Sequence, residues 1–199
     1  MDNKKLIEIV NTKGISFEQF NTQADVSLID IDESPMNDTD RKKLGFTQLN
    51  QRRTSRIFKS YKINDKIKNV ISSIHEQQTW MILTEDWCGD SAQTVPYLYK
   101  ISKLNDLIDL RILYRDDNLD IMDKYLTNGG RAIPKLVAFD KDMNELFQWG
   151  PRPEEAKILV AQWRAEGDTK DQFNEKLHLW YGRNRGKAVE EDLLKLLIQ

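Results

Sequence analysis

Cysteine is nearly absent from this sequence, and its scarcity excludes several classes of protein. Cys88 is the only cysteine among the 199 residues, so no disulfide can form within one chain. The two histidines, His75 and His178, lack the ligand spacing of a zinc site, and no glycine-rich phosphate loop is present. We therefore expect the chain to bind no metal and no resident cofactor.

An excess of charge of one sign and a long apolar segment are lacking as well. Lys and Arg total 30 against 32 Asp and Glu, a net charge of −2. No run approaches the roughly 18 apolar residues of a membrane span. We expect neither nucleic acid nor a membrane as partner. One basic run has the spacing of a solvated helix face: Arg52, Arg53, Arg56, Lys59 and Lys62.

The first residues of the chain lack the apolar core of a secretory signal peptide, because Glu8 and Asn11 interrupt their hydrophobic run. A single thiol without a partner in such a chain is typical of a reducing compartment. We therefore expect a cytoplasmic protein, whereas its oligomeric state stays open.

Hydrophobic patterning divides the chain into three blocks. Residues 1–78 are predicted to be helical, residues 79–166 alternate between strands and helices, and residues 167–199 are helical again. Predicted helices cover about 40–61, 65–75, 91–103, 119–127, 154–166, 169–181 and 187–198. Predicted strands cover 79–84, 109–114, 135–139 and 145–149, and residues 32–38 have the composition of a loop.

The order of these elements predicts an α/β protein with a central mixed four-stranded sheet flanked by helices. A helix joins the first two strands, so they should be parallel, whereas a tight turn joins the last two, so they should be antiparallel. The outer helices carry apolar stripes that need a surface to bury against. We expect both helical extensions to pack on the sheet within one compact domain.

Cys88 lies where the first predicted strand ends and a helix begins. Backbone N–H groups at a helix start, together with the helix dipole, favour a thiolate, which is the form that attacks disulfides. The neighbouring acids Glu85, Asp86 and Asp90 act in the opposite direction. Glu85 and Asp86 are interpreted as solvated loop acids, whereas Asp90 either caps the helix N-terminus or tunes the redox chemistry. Taken alone, a single cysteine is more often a small buried hydrophobic residue than a nucleophile. The surrounding motif therefore decides between the two interpretations.

That motif resembles the active site of thioredoxin. Trp87, Cys88 and Gly89 match the start of the thioredoxin sequence Trp-Cys-Gly-Pro-Cys. Pro96 matches the proline that stands eight residues after the first cysteine and kinks the active-site helix of that family. These matches indicate that Cys88 is an active-site cysteine.

Further landmarks lie downstream. Ile133-Pro134 matches the cis-proline segment that faces the cysteine in thioredoxins, Arg131 stands three residues before that proline, and Gly150 matches a glycine that closes the antiparallel hairpin. The helical extensions, the Glu-Asp-Trp-Cys-Gly-Asp motif and the Asn-Gly-Gly-Arg-x-Ile-Pro segment resemble a bacterial subgroup of thioredoxin-like proteins. The resemblance implies a thioredoxin-like fold with residues 79–166 as its core and extra helices at both termini.

A substrate groove beside the cysteine is also implied by the resemblance. In this fold the tryptophan and the cis-proline flank the sulfur, and the backbone before the cis-proline pairs with an extended partner. The residues assigned to the groove are Trp87, Gly89, Asp90, Ile133, Pro134 and Arg131.

Three departures from thioredoxin change the expected chemistry. Ser91 replaces the second active-site cysteine, Asp90 replaces the intervening proline, and Ile82 replaces the buried acid. A serine hydroxyl cannot resolve a mixed disulfide, but it can donate a hydrogen bond to a thiolate. The resemblance thus implies single-cysteine thiol–disulfide exchange, with Cys88 and Ser91 as catalytic residues. A protein or low-molecular-weight disulfide or thiol would be the partner, and an external thiol the reductant.

Two alternatives to the exchange role stay open. The first is a thioredoxin-fold module that holds a peptide or protein in the groove without turnover. The second is a role like that of a monothiol glutaredoxin. Cys88-Gly89-Asp90-Ser91 resembles the Cys-Gly-x-Ser motif of that family, whose members hold an iron–sulfur cluster with glutathione. The Gly-Gly segment that binds glutathione is missing here, which argues against the glutaredoxin-like role.

Opposing charges determine the expected reactivity of Cys88. The three neighbouring acids raise the pKa of the thiol, whereas Ser91 and the helix start lower it, and Arg131 would either offset those acids or pair with one of them. Solvent screens exposed acids, while the first-turn amides touch the sulfur. We therefore expect a partly exposed thiol with a pKa below the free value of about 8.5.

Overall fold

A four-stranded mixed sheet forms the centre of the structure, a computed structural model that describes residues 2–29 and 36–198. Its strands lie in the order β2-β1-β3-β4, with β1 parallel to β2 and with antiparallel pairing of β1 to β3 and of β3 to β4. The predicted α/β fold and sheet arrangement are confirmed. The strands are β1 (Gln78–Thr84), β2 (Ile108–Tyr114), β3 (Lys135–Phe139) and β4 (Glu145–Trp149).

The described helices before the sheet each follow a polar cap. The cap side chain accepts a backbone N–H of the first turn, which satisfies a donor that has no partner within the helix. The caps are Asp2, Ser16, Asn37 and Asn64. The helices are α1 (Asn3–Lys13), α2 (Phe17–Val26), α3 (Asp38–Ser60) and α4 (Asp65–Ser72). Of the loop predicted over 32–38, residues 32–35 lie outside the described residues.

Two helices interrupt the strands, α5 (Gly89–Ser102) and α6 (Leu119–Met122). The helix predicted over 119–127 was too long. Asn128 and Gly129 adopt positive φ angles of 51° and 76°, and the backbones of Thr127 and Gly130 bond to each other. The Asn-Gly pair therefore forms a tight turn of its own and does not end a long helix.

The C-terminal helices are α7 (Glu154–Ala165), α8 (Lys170–Asn184) and α9 (Lys187–Leu197). α9 packs with α4, and their apolar residues Ile67, Ile71, Val189 and Leu193 belong to one buried cluster with residues of the sheet. α7 and α8 pack on each other around a smaller cluster of their own: Ala156, Val160, Phe173, Leu177 and Tyr181. In the described part of the chain, no helix is long and apolar enough to cross a membrane.

β1 separates two larger clusters, because alternate side chains of a strand point to opposite faces. Trp80 and Ile82 belong to the cluster that α2, α4, α5 and α9 join. Met81 and Leu83 belong to the other cluster, which α1 and α6 join and which includes Cys88. The short loop after β1 thus places Cys88 at the edge of the second cluster.

Candidate active site

Cys88 is the N-cap residue of α5, directly after the short loop that leaves β1. Its thiol donates to the carbonyl oxygen of Ile133, with a sulfur–oxygen distance of 3.4 Å. The peptide bond that follows, Ile133-Pro134, is cis. The structure therefore brings together the cysteine, the helix start and the Ile133-Pro134 segment that the sequence assigned to one site.

The thiol is buried, which corrects the expectation of a partly exposed group. Cys88 is only 9% exposed. Burial removes the water that would stabilise a thiolate, and the negative charge of Asp90 adds to that effect, so the pKa of Cys88 rises to about 11. The expected lowering of the pKa was wrong, because loss of solvation outweighs the hydrogen bonds at the helix start.

Ser91 lies beneath the sulfur, one turn into α5. Its hydroxyl is buried, and it accepts a hydrogen bond from the Thr84 hydroxyl at 2.5 Å. The hydrogen bond of Ser91 to Cys88 opposes the rise in the pKa of the thiol. Thr84 ends β1, so the strand positions the serine against the cysteine.

Glu85 and Asp86 are not the solvated loop acids that the sequence indicated. Glu85 is 7% exposed, and its carboxylate accepts the backbone N–H of Asp116 at 2.8 Å. The Asp86 carboxylate accepts from the Thr47 hydroxyl at 3.3 Å, and the Asn50 amide donates to the Asp86 carbonyl at 2.8 Å. Burial raises the pKa of both acids. Asp86 therefore ties the active-site loop to α3, and Glu85 ties it to the loop after β2.

Two cations lie close to the ring of Trp87. The Lys43 ammonium is 5.1 Å from the centre of its ring, and the Arg115 guanidinium is 5.2 Å from it. Both cations pair with Asp116, at 3.9 Å and 2.7 Å. The cations therefore hold the tryptophan by contacts with its ring, while their charge is balanced by a neighbouring acid.

Arg131 does not offset the acids near Cys88. It forms a two-point ion pair with Asp123, at 2.6 Å and 2.8 Å, and both side chains are about half exposed. Asp123 holds the pKa of this guanidinium above its usual range. The two expected roles of Arg131, offsetting the acids or pairing with one of them, are both wrong, because a nearer acid neutralises it.

Asp90 has partners that the sequence did not indicate. Arg152 donates from Nε to Oδ2 of Asp90 at 2.9 Å, and its Nη2 atom lies 2.8 Å from the same oxygen, while the Tyr181 hydroxyl donates to Oδ1 at 2.8 Å. The Asp90 side chain is 14% exposed and the Arg152 side chain is 25% exposed. Asp90 is therefore the anchor for a residue of the turn after β4 and for a residue of α8.

A glycine at the end of β4 positions Arg152. Gly150 has a φ of 112°, and a Cβ there would lie 2.2 Å from the carbonyl oxygen of Pro134. Only glycine permits this approach, so the turn passes directly over the Pro134 segment. The next residues, Pro151 and Arg152, then lead to Asp90.

His178 lies over the first turn of α5, although it is 90 residues from Cys88 in the sequence. A Cβ on Gly89 would meet Cε1 of its ring at 2.8 Å and Nε2 at 3.0 Å. Its Nδ1 atom is buried with no hydrogen-bond partner among the described residues. Burial, aided by the charge of Arg53, lowers the pKa of His178 to about 4. The imidazole is therefore neutral at physiological pH.

Sequence reasoning missed Arg152, Tyr181 and His178 as parts of the site. Arg152 is 62 residues from Asp90, and Tyr181 is 91 residues from it. A single sequence carries no local signal for contacts of this range. The only available indication was the helical stripe that places Tyr181 on the buried face of α8.

Comparisons with known proteins agree with this geometry. A thioredoxin family model matches residues 36–164, a range that contains Cys88 and Pro134. The crystal structure of a protein of unknown function from Pseudomonas aeruginosa is similar, with a TM-score of 0.62, 17% identity, and coverage of 96% of this chain and 95% of that chain. An HIV epitope scaffold is similar with a TM-score of 0.62, 17% identity and 96% coverage of both chains. At this identity the likeness concerns the fold alone. Among curated proteins, no match was found.

Proposed function

This chain belongs to the thioredoxin family, and from that premise we propose that it is a single-cysteine thiol–disulfide exchange protein. Family membership supports a redox or thiol–disulfide role in general terms. The observation that carries the finer proposal is the position of Cys88 at the N-terminus of α5, 3.4 Å from the Ile133 carbonyl and next to Pro134. Ser91, the residue in the place of a second thiol, holds the sulfur by a hydrogen bond.

The proposed reaction has two exchanges. The Cys88 thiol loses its proton to solvent, and the thiolate attacks one sulfur of a partner disulfide, which releases the other sulfur as a thiolate that takes up a proton. An external thiolate then attacks the partner sulfur of the mixed disulfide and releases Cys88. The external thiol ends in a disulfide with the partner, so no electrons are left over and no bound cofactor is required.

Such a cycle requires a supply of external thiol, which the cytoplasm provides. A protein or a low-molecular-weight disulfide would enter the groove beside Trp87 and Pro134. An extended partner there would pair with the backbone next to Ile133 in the manner of an added strand.

One observation favours a second candidate, a thioredoxin-fold module that binds a partner in the same groove without turnover. With a pKa of about 11, about one thiol in ten thousand is ionised at pH 7. Cys88 is therefore a slow nucleophile in the structure as it stands. Either a partner promotes the loss of the proton, or the groove acts by binding alone.

The test is adduct formation on Cys88. The native chain is incubated with oxidised glutathione between pH 7 and pH 10, and intact mass reports the mixed disulfide; Cys88→Ser is the matched control. We expect an adduct only on the native chain, formed faster at higher pH and reversed by reduced glutathione. Absence of an adduct at every pH would overturn the exchange proposal, and the binding module would then lead. The visible absorbance of an iron–sulfur cluster would instead point to the glutaredoxin-like role.

A further inference from the structure

The C-terminal part of the chain supplies a charge to the active-site helix that the proposed exchange reaction has not used. Arg152 and Tyr181 converge on one carboxylate, that of Asp90, from two different segments. The guanidinium contacts one oxygen of the carboxylate through Nε and Nη2, and the Tyr181 hydroxyl bonds to the other oxygen, so both oxygens of Asp90 have a partner. The ion pair is mostly buried, so solvent screens it less than an exposed pair.

This pair lies within the electrostatic reach of the thiol. Asp90 stands two residues after Cys88, in the first turn of α5, and its negative charge disfavours a thiolate. The positive charge of Arg152 interacts favourably with a thiolate at Cys88. A thiolate formed at this position therefore meets an acid and a cation together, and the cation offsets the acid.

The other groups that face the site are accounted for. Glu85 and Asp86 precede the cysteine and are bonded to the Asp116 backbone and to α3. On α8, His178 has a lowered pKa and stays neutral. From α3, Arg53 approaches Gly89 and donates to the Asn50 side chain at 2.9 Å. Arg152 is the cation that is bonded directly to the acid nearest the sulfur.

We propose that Arg152 is a positioning residue for the exchange reaction: it neutralises Asp90 and thereby sets how readily the Cys88 thiol ionises. Tyr181 assists by holding the other oxygen of the same carboxylate with a hydrogen bond of its own. The inference rests on the proposed function, since a thiol that never ionises does not need this control. The pairing with Arg152 also gives a reason for Asp90, because an unpaired acid at this position would only impede ionisation of the thiol.

The experiment measures the alkylation rate of Cys88 by iodoacetamide against pH. Cys88 is the single cysteine, so intact mass gives one unambiguous signal. The variants are Arg152→Met, Arg152→Lys, Asp90→Asn and the double variant Asp90→Asn/Arg152→Met. We expect Arg152→Met to raise the midpoint pH of this rate profile, at which half of the thiol is ionised. The same variant should slow alkylation at pH 9 by roughly threefold or more. Asp90→Asn should lower the midpoint, Arg152→Lys should restore part of the rate, and the double variant should react nearly as fast as the native chain.

Two results would overturn the inference. One is an unchanged midpoint in Arg152→Met. The other is an equal slowing in Arg152→Met and Arg152→Lys that persists in the Asp90→Asn background, because that result indicates packing and not charge. If Arg152→Met does not fold by circular dichroism, Tyr181→Phe replaces it. That variant keeps the ring and removes one donor to Asp90, so it should raise the midpoint, and an unchanged midpoint would equally overturn the inference.

This measurement separates the inference from the proposed function. Alkylation reports ionisation of the thiol alone and needs no disulfide partner. A chain that shows the expected midpoint shifts but forms no adduct with oxidised glutathione retains the electrostatic role of Arg152 and loses the exchange activity. A chain that exchanges without any midpoint shift retains the activity and loses the role of Arg152.

Discussion

The two sides of Cys88 hold their charges in different ways. On the groove side, Arg131 and the cations around Trp87 pair with acids that are about half exposed. On the covered side, the pair of Asp90 and Arg152 is mostly buried, and the fully buried Tyr181 completes it. The groove side consists of Trp87, Arg131, Ile133 and Pro134. The covered side consists of Arg152, His178 and Tyr181 with the two residues that they contact, Gly89 and Asp90, which the sequence had assigned to the groove.

Under the proposed function, this difference would separate recognition from control of reactivity. Exposed ion pairs are screened by solvent and salt, so charges on the groove side exert little influence on the sulfur. Charges on the covered side act through protein, where screening is weaker. A partner in the proposed groove would therefore meet charges that leave the thiol unchanged, while the charges on the covered side would adjust the thiol without contacting the partner.

The largest expected effect comes from Asp90→Ala, which leaves Arg152 without its acid and Tyr181 without its acceptor. We expect a loss of about 2–4 kcal/mol in the free energy of unfolding, measured by urea denaturation at pH 7. Asp123→Ala is the matched control, since it breaks the two-point pair with Arg131 on the groove side, and it should cost far less. Equal losses from the two variants would remove the distinction between the sides.

A close contact on the covered side predicts the next effect. Gly89→Ala places a methyl group 2.8 Å from the His178 ring, so the buried ring or α8 itself must shift. We expect a loss of about 1–3 kcal/mol, seen as a lower melting temperature. His178→Ala should recover most of that loss in the double variant. Gly45→Ala, where nothing lies within 4 Å of the new methyl group, is the control and should be neutral or slightly stabilising.

The neutral His178 predicts an acid-sensitive stability. Its pKa is about 4 in the folded chain and about 6.5 in the unfolded chain, so the unfolded state takes up the proton first as pH falls. The stability that this residue contributes is complete above pH 6.5 and is lost as pH falls from 6.5 to 4. We expect a loss of about 1–2 kcal/mol between pH 7 and pH 5.

The fall in the free energy of unfolding between pH 7 and pH 5 is called the acid limb. His178→Phe should flatten it, as measured by urea denaturation across that pH range. The exposed His75 offers a control, and His75→Phe should leave the limb as in the native chain. An acid limb in His178→Phe as steep as that of the native chain would contradict the assignment. At pH 7 the phenylalanine variant should be no less stable, because the buried Nδ1 has no partner to lose.

The smallest effect is expected on the groove side. Arg131→Met removes a charge next to the Ile133-Pro134 segment, yet that charge is already paired with Asp123. The alkylation rate of Cys88 at pH 9 should therefore stay within about twofold of the native rate. A shift as large as that of Arg152→Met would mean that both sides control the thiol.

The strands and the groove side could be predicted from the sequence because their signals are local. The apolar run at 79–84 differs by one residue from β1 (Gln78–Thr84), and the cis bond at Ile133-Pro134 lies where the thioredoxin resemblance placed it. The helix at 119–127 failed because the Asn-Gly turn has the same composition as a helix end. Its two backbone bonds, which distinguish the cases, are not visible in a sequence.

The exposure of Cys88 could not be predicted for a different reason. The active-site motif by itself implies an open helix start, and residues from α8 then cover it. The packing of α7 on α8 determines where Tyr181 and His178 fall, and that packing depends on apolar contacts between helices rather than on any motif. The direction of the pKa shift of Cys88 follows mainly from burial of the thiol, and the charge of Asp90 adds to it.

Burial of the only thiol also has a consequence for the lifetime of the protein. Peroxide attacks thiolates, and a sulfenic acid that meets a second thiol is rescued as a disulfide, whereas one without such a neighbour proceeds to irreversible sulfinic and sulfonic acids. This chain has no second cysteine to perform the rescue. A thiol that is 9% exposed and stays protonated at neutral pH is oxidised slowly. The burial that slows Cys88 as a nucleophile therefore also protects it from permanent oxidation.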